Sequence, residues 1–249
     1  MQKESFDVLK ELQPKTLIPL HIGGIDMSIT NTVVTMLAGV VLAAVILLLA
    51  ARKPKLIPGP LQNAVEAIVQ FIKNEIIMTM MGPEGMAWFP LLGTIFFFVL
   101  FSNLLGLTPF ANTPTGRLSV PLTLAVIVFF SVHIHGVVRH GPLKYLAGWV
   151  PPGLPVWVVP IVFVLEAISA IAKPFSLTVR LFANMLAGHV IIFVFLGFGI
   201  MFGTLYVMPL ALPMAIIMMC LEVLFSAIQA YVFTILSAMY IGAAINPEH

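Results

Sequence analysis

Long apolar runs separated by short polar clusters organise this chain, and their lengths predict helices that cross a bilayer. A spanning helix needs about 20 mostly apolar residues. The first such run is Ile29–Ala51, which stops at Arg52-Lys53-Pro54-Lys55. The next two are Trp88–Leu107 and Val120–Val138, a two-span hairpin over 88–138. Between them the loop Thr108–Ser119, with Pro109, Pro114 and Gly116, turns the chain. The segment Pro60–Met81 has a different pattern. Leu61, Ala64, Val65, Ile68, Val69, Ile72 and Ile76 form one helical stripe, and Gln62, Glu66, Gln70 and Lys73 take other positions. That amphipathic pattern predicts a helix lying on the membrane rather than through it.

The last hundred residues predict two unusually long helices. One apolar stretch runs from Val156 to about Leu196, interrupted by Glu166, Lys173, Arg180 and His189. A second runs from about Leu205 to Ile245 and carries Glu222 and Gln229, with a glycine-rich turn expected over Gly197–Gly203. Forty helical residues measure about 60 Å, against a hydrocarbon core about 30 Å thick. The pair over 156–245 is therefore expected to tilt, bend or project, with Pro160, Pro174, Pro209 and Pro213 as bend points. The fold class expected is an all-α integral membrane protein of one domain, 1–249. It has five crossing helices, an interfacial helix over 60–81, and a polar tail over 1–28.

Composition agrees with lipid as the solvent. The 249 residues are 60% hydrophobic and 9% charged, where soluble domains carry about 45–50% apolar and about 25% charged residues. A net charge of +2 and the lack of a basic cluster with interleaved aromatics exclude a nucleic-acid partner. The single Cys220 permits no internal disulfide. The first 28 residues are polar and of mixed charge, which does not fit a cleavable signal. Basic residues set the orientation. Arg52, Lys53, Lys55 and Lys73 follow the first span, and Arg139 and Lys144 follow the third. Placing these six inside leaves Lys3, Lys10, Lys15 and Arg117 outside, so the amino terminus is expected outside and the carboxyl terminus in the cytoplasm.

The candidate chemistry lies in the last two helices, because ionisable groups within spans are costly and mark pathways. Glu166, Lys173 and Arg180 are seven apart, a step that drifts about 20° around a helix, so they share a face. Asn184 lies to one side of Arg180, and His189 faces away from it. In an antiparallel pair, residues at one depth have a constant sum of numbers. Arg180 with Gln229 gives 409, Asn184 with Ser226 gives 410, and His189 with Glu222 gives 411. Ser176 with Thr234 and Lys173 with Ser237 both give 410. The polar residues thus fall at matching depths, as a hydrated seam requires. Polar glue between helices is the alternative for the serines and threonines, but a permanently charged arginine suits packing poorly. His133 and His135 point about 200° apart on a helix and read as core or interfacial histidines, not metal ligands. No Gly-Lys-Ser/Thr phosphate loop occurs, and neither cofactor nor metal is expected.

Residues 173–189, Lys-Pro-Phe-Ser-Leu-Thr-Val-Arg-Leu-Phe-Ala-Asn-Met-Leu-Ala-Gly-His, resemble the signature of subunit a of F-type ATP synthases of the bacterial type. So do residues 221–233, Leu-Glu-Val-Leu-Phe-Ser-Ala-Ile-Gln-Ala-Tyr-Val-Phe, and Ser102-Asn103-Leu104-Leu105-Gly106-Leu107 with Pro109. The resemblance covers roughly residue 28 to the end. It implies a long tilted hairpin against a c-subunit ring, with the b-subunit peripheral stalk and the rest of the F1Fo complex as partners in a bacterial inner membrane. It implies that Arg180 faces the ring carboxylates, with Asn184 and Gln229 as neighbours. His189 and Glu222 would line the outer half-channel; in some family members the acid and the histidine are exchanged between the helices. Glu166, with Ser169 and Ser176 nearby, would lead to the cytoplasmic exit. The function implied is a stator subunit that carries protons to and from the ring past an arginine barrier, not itself an enzyme. A secondary transporter or a membrane scaffold are the competing classes; the first usually shows repeated halves, which are not evident, and the second has no use for Arg180.

Overall fold

The computed structural model describes residues 16–52 apart from 20, 23, 24 and 27, and residues 58–108, 113–150, 153–202 and 208–245. The predicted polar tail over 1–15, Lys53 and Lys55 lie outside the described residues. The chain divides into two compact units. One comprises Met1–Ile46, Phe97–Arg117 and Leu181–Ala230; the other comprises Leu47–Phe96, Leu118–Arg180 and Tyr231–His249.

Helix dominates because hydrocarbon offers no water to unpaired backbone groups, so a spanning segment must satisfy its own. Five helices are long and apolar enough to cross a membrane, as the runs predict, and the protein is an all-α membrane protein. They are α1 (Asn31–Ala51), α3 (Phe89–Gly106, after a 3-10 turn Pro83–Trp88), α4 (Ser119–His140), α6 (Val159–Phe202) and α7 (Met208–Ile245). The helix predicted over 60–81 forms as α2 (Pro60–Phe71), continued by a π-helical segment Ile72–Met78 and a last turn Thr79–Met81. A short α5 (Pro142–Ala147) follows α4.

Three expectations need correction. The turn expected over Gly197–Gly203 starts later, because α6 runs through Gly197 and Gly199 to Phe202; Gly203 is outside the described residues. Glycine costs a helix about 1 kcal/mol, less than unpaired backbone in hydrocarbon. Pro160 and Pro209 are the second residues of α6 and α7, where a missing N–H costs nothing. Only Pro174 and Pro213 lie inside their helices. Finally, part of the expected tail pairs: β1 (Thr16–Ile18) with β4 (Ile29–Thr30), and β2 (His21–Ile22) with β3 (Ile25–Asp26), both antiparallel. Ile22 and Ile25 flank Gly23-Gly24, a two-residue hairpin signal.

In the first unit, α1 buries the small or short residues Thr32, Thr35 and Ala43, with Gly39 on the same side. A Cβ at Gly39 would meet the Ser102 backbone nitrogen at 3.4 Å, so the two helices approach closely there. In the second unit, the π segment buries Ile72, Ile76 and Ile77 together, and Lys73 Nζ stands 4.7 Å from the centre of the Phe89 ring. Gly82 ends this stretch at φ 69°, a left-handed conformation that favours glycine. Gly141 makes the same kind of break between α4 and α5 at φ 79°. Arg139, near the end of α4, reaches Glu84 at 2.6 Å. Large apolar side chains face outward on four of the five long helices, such as Leu48 on α1, Val138 on α4, Ile171 on α6 and Leu210 on α7, as lipid contact requires.

Gly242 of α7 tests the packing of the second unit. A Cβ there would sit 2.5 Å from the backbone oxygen of Met80, which has no rotamer to yield. Gly242→Ala should destabilise the purified protein by about 1–3 kcal/mol; a thermal midpoint in detergent equal to that of the wild type contradicts this packing.

Candidate functional site

Helix α7 keeps its polar residues on its buried side. Glu222, Ser226, Gln229, Thr234 and Ser237 are all buried, at steps of three to five residues that keep them near one face. On α6 the sorting is the reverse around Arg180. Leu177, Thr178, Leu181 and Met185 are buried, whereas Ser176, Arg180 and Asn184, four apart, are exposed.

In the first unit, His189 of α6 and Glu222 of α7 meet. His189 Nδ1 forms an ion-pair contact with Glu222 Oε1 and is hydrogen bonded to the backbone oxygen of Met185 at 3.1 Å. Its Nε2 lies 2.6 Å from Thr113 Oγ1 and 3.2 Å from the backbone oxygen of Gly106. Both ring nitrogens therefore face acceptors. A neutral imidazole can donate on one side only, and the charged ring can donate on both. Glu222 is 2% exposed, and its Oε2 has no hydrogen-bond partner among the described residues. Such a carboxylate is tolerable only beside a cation or a proton. Room for it comes from Gly188, where a Cβ would be 2.7 Å from Oε1.

The sequence reading missed the polar strap beside this pair. Thr113 and Thr115 lie in a predicted turn, yet both are buried. Thr113 bonds His189, and Thr115 donates its hydroxyl to Asn103 Oδ1. Gly106 makes the approach possible, since a Cβ there would be 2.6 Å from Thr113 Cα. The only signal was the Ser102–Gly106 segment already singled out, with three threonines, Thr108, Thr113 and Thr115, following within ten residues. Arg117, just beyond the strap, has its guanidinium pushed below its ordinary value by burial.

In the second unit, Lys173 Nζ lies 3.4 Å from Glu166 Oε1, so these residues do share a face of α6. Lys173 also stands 6.0 Å from the Tyr240 ring of α7, and Tyr240 is within electrostatic reach of Arg180. Glu166, Lys173 and Tyr240 border a cavity of about 1000 Å³, lined also by His133, Tyr145 and Trp149. Ser169 is half-buried. Arg180 makes no hydrogen bond or ion pair among the described residues.

The depth register fares unevenly. His189–Glu222 forms as summed, at 411, and in the other unit Lys173 and Tyr240 sum to 413. Ser226 gives its hydroxyl to the Glu222 backbone oxygen at 2.8 Å, and Ser237 gives its own to the Phe233 backbone oxygen at 2.7 Å, both within α7. A hydroxyl can always close onto its own helix; a carboxylate cannot. His133 bonds Tyr145, and His135 meets Trp88 edge-on, in line with core histidines; among the described residues no cluster of three metal-ligating side chains occurs.

Comparison with known proteins adds the wider context. The family described as "ATP synthase A chain" matches residues 32–242. ATP synthase subunit a of Parvibaculum lavamentivorans is 41% identical over 248 residues, covering 98% of this chain and 95% of the relative. That of Mesorhizobium japonicum is 39% identical over 254 residues, covering 100% of both. That of Rhodopseudomonas palustris is 40% identical over 251 residues, covering 98% of this chain and 99% of the relative.

Gly188→Ala should displace the Glu222 carboxylate and lower stability by about 1–3 kcal/mol. Adding Glu222→Asp, which withdraws the carboxyl by one methylene, should recover part of the loss. Strictly additive losses in thermal unfolding would show that the two residues do not meet.

Proposed function

This chain belongs to the ATP synthase A chain family, and from that premise we propose that it is the stator wall of the proton path in the membrane sector of a rotary ATP synthase. It is a multi-pass component of that complex. Its proposed partners are a ring of c subunits, against which the exposed face of α6 lies, the b-subunit stalk and the rest of the complex. The amino terminus is proposed outside, the carboxyl terminus in the cytoplasm, and α2 on the membrane surface.

The observation that carries this reading is the face of Arg180. Its guanidinium has no hydrogen bond or ion pair among the described residues and stands exposed on α6, as do Phe175, Val179 and Asn184. Arginine at the centre of a span costs about 2.5–3.5 kcal/mol on insertion scales, so an anion from outside the chain must offset it. A carboxylate carried past on the ring has the required charge and arrives from the exposed side.

In the proposed mechanism a proton from outside reaches His189 and Glu222, whose buried carboxyl accepts it and passes it inward. It neutralises a ring carboxylate, which can then enter lipid, because only the neutral form does so cheaply. After nearly a full turn the carboxyl meets the other half-channel, proposed at the cavity of Glu166 and Lys173 with Ser169 and Ser176 nearby, and releases its proton. Arg180, with Asn184 and Gln229 as neighbours, draws the ionised carboxylate across. It blocks a leak because it does not lose its own proton. Lys173 offsets the charge of Glu166, while Ser226, Thr234 and Ser237 line α7. The drive is about 2.3 kcal/mol per charge per 100 mV.

Replacing His189 or Glu222 singly should slow proton flux in membrane vesicles while the complex still assembles; wild-type flux at every pH in both variants contradicts the outer half-channel. Arg180→Ala should abolish ATP synthesis driven by proton flow with assembly intact; a scaffold role requires the opposite. Arg180→Lys should also fail. A desolvated lysine amine can lose its proton and offers no planar fork. Near-normal synthesis without added leak in Arg180→Lys vesicles would mean that any cation suffices.

A further inference from the structure

Three side chains on the wall of the second unit's cavity take no part in the mechanism above. Tyr145 Oη lies 2.6 Å from His133 Nδ1, and the Trp149 ring packs edge-on against the Tyr145 ring at 6.0 Å between centres. With the imidazole neutral and its hydrogen on Nε2, the phenol donates to Nδ1, a short chain from phenol to imidazole.

The surroundings hold that chain in place. A Cβ at Gly136 would collide with the edge of the Tyr145 ring, so the ring lies in a seat that only glycine leaves open. The Phe129 ring meets His133 edge-on at 4.1 Å, and Trp149 stacks on Phe163 of α6 at 5.7 Å. Burial raises the Tyr145 phenol above its ordinary value, so the phenol keeps a proton to pass on. Other charged or titratable groups line the same cavity: His140 from α4, Lys144 from α5, Glu166 and Lys173 from α6, and Tyr240 from α7; Met78–Gly82 contributes none. Lys173 is within electrostatic reach of His133.

We propose that Trp149, Tyr145 and His133 form a proton-buffering site on the wall of this cavity, with His133 as the proton store and Tyr145 as the residue that positions and feeds it. The proposal rests on the reading of the cavity as the cytoplasmic half-channel. The step balances simply. A hydrated proton in the cavity binds the phenol oxygen, the phenol's original proton passes to His133 Nδ1, and water, neutral phenol and imidazolium remain. The reverse returns the proton to another water. Histidine is the side chain whose ordinary value, about 6.5, lets it load and unload near neutral pH. Anchoring of α5 alone would need the Tyr145 ring and its seat but neither the hydroxyl nor a titrating partner.

The test is passive proton flux through F1-stripped vesicles of the assembled complex, measured against cytoplasmic-side pH from about 5.5 to 8.5. Tyr145→Phe keeps the ring in its seat and removes only the hydroxyl; His133→Gln keeps a polar side chain that cannot titrate. Each should lower flux roughly three- to tenfold and erase the inflection near the histidine range, and the double variant should be no slower than either single one. If both variants keep the wild-type pH profile, the chain only anchors α5 and the proposal is overturned. Glu166→Gln separates the two levels. Slowed flux there with a normal Tyr145→Phe profile overturns the buffering site alone; normal flux there removes the half-channel reading and this proposal together.

Discussion

One constraint governs the spanning segments: inside hydrocarbon, a hydrogen bond or a charge must be met by the protein itself. Backbone obeys by forming helices as long as 44 and 38 residues. Hydroxyls obey by closing onto their own helix. Thr35, Thr94, Thr123, Ser131, Thr178, Ser226 and Ser237 each donate to a carbonyl four residues back. These bonds are local and cheap, and they leave nothing over for chemistry. Ionised side chains have no such escape. The charged groups of α6 and α7 are therefore where tertiary structure and function are forced to coincide: Glu166 against Lys173, His189 against Glu222, and Arg180 exposed.

How much of this was legible follows from the same distinction. The spans could be read because length and apolar content are sufficient when the solvent is lipid. His189–Glu222 could be read because an antiparallel hairpin turns pairing into arithmetic. For Ser226 and Ser237 the same arithmetic assigns no bond, because depth matching says nothing about direction around the helix, and each hydroxyl closes onto α7 itself. Gly197 and Gly199 misled because glycine was weighed as in water, where a helix end loses little. The Thr113–His189 bond spans 76 residues through a segment with no periodicity, so no local pattern could announce it. The π-helical turn at Ile72–Met78 likewise has no sequence signature: its isoleucines fit an α-helical stripe equally well.

The charges along α6 differ in kind. Glu166 and Lys173 lie one helical heptad apart and sum to zero. His189 and Glu222 sum to zero whether the proton sits on the imidazole or on the carboxyl. In each pair, then, a proton can shift between partners without changing the charge that lipid must tolerate. Arg180 sits seven residues from one pair and nine from the other, has no hydrogen bond or ion pair among the described residues, and cannot shed its proton. In the proposed mechanism, two neutral-sum pairs flanking a fixed charge would let protons move at either end but not through the middle. The exposure of Arg180 is what would make such a barrier useful. Were it buried and paired like Glu222, it would block leakage but could not attract a moving carboxylate. Were it replaced by a group that titrates, it could attract but would also conduct. Only an exposed, permanently protonated side chain does both.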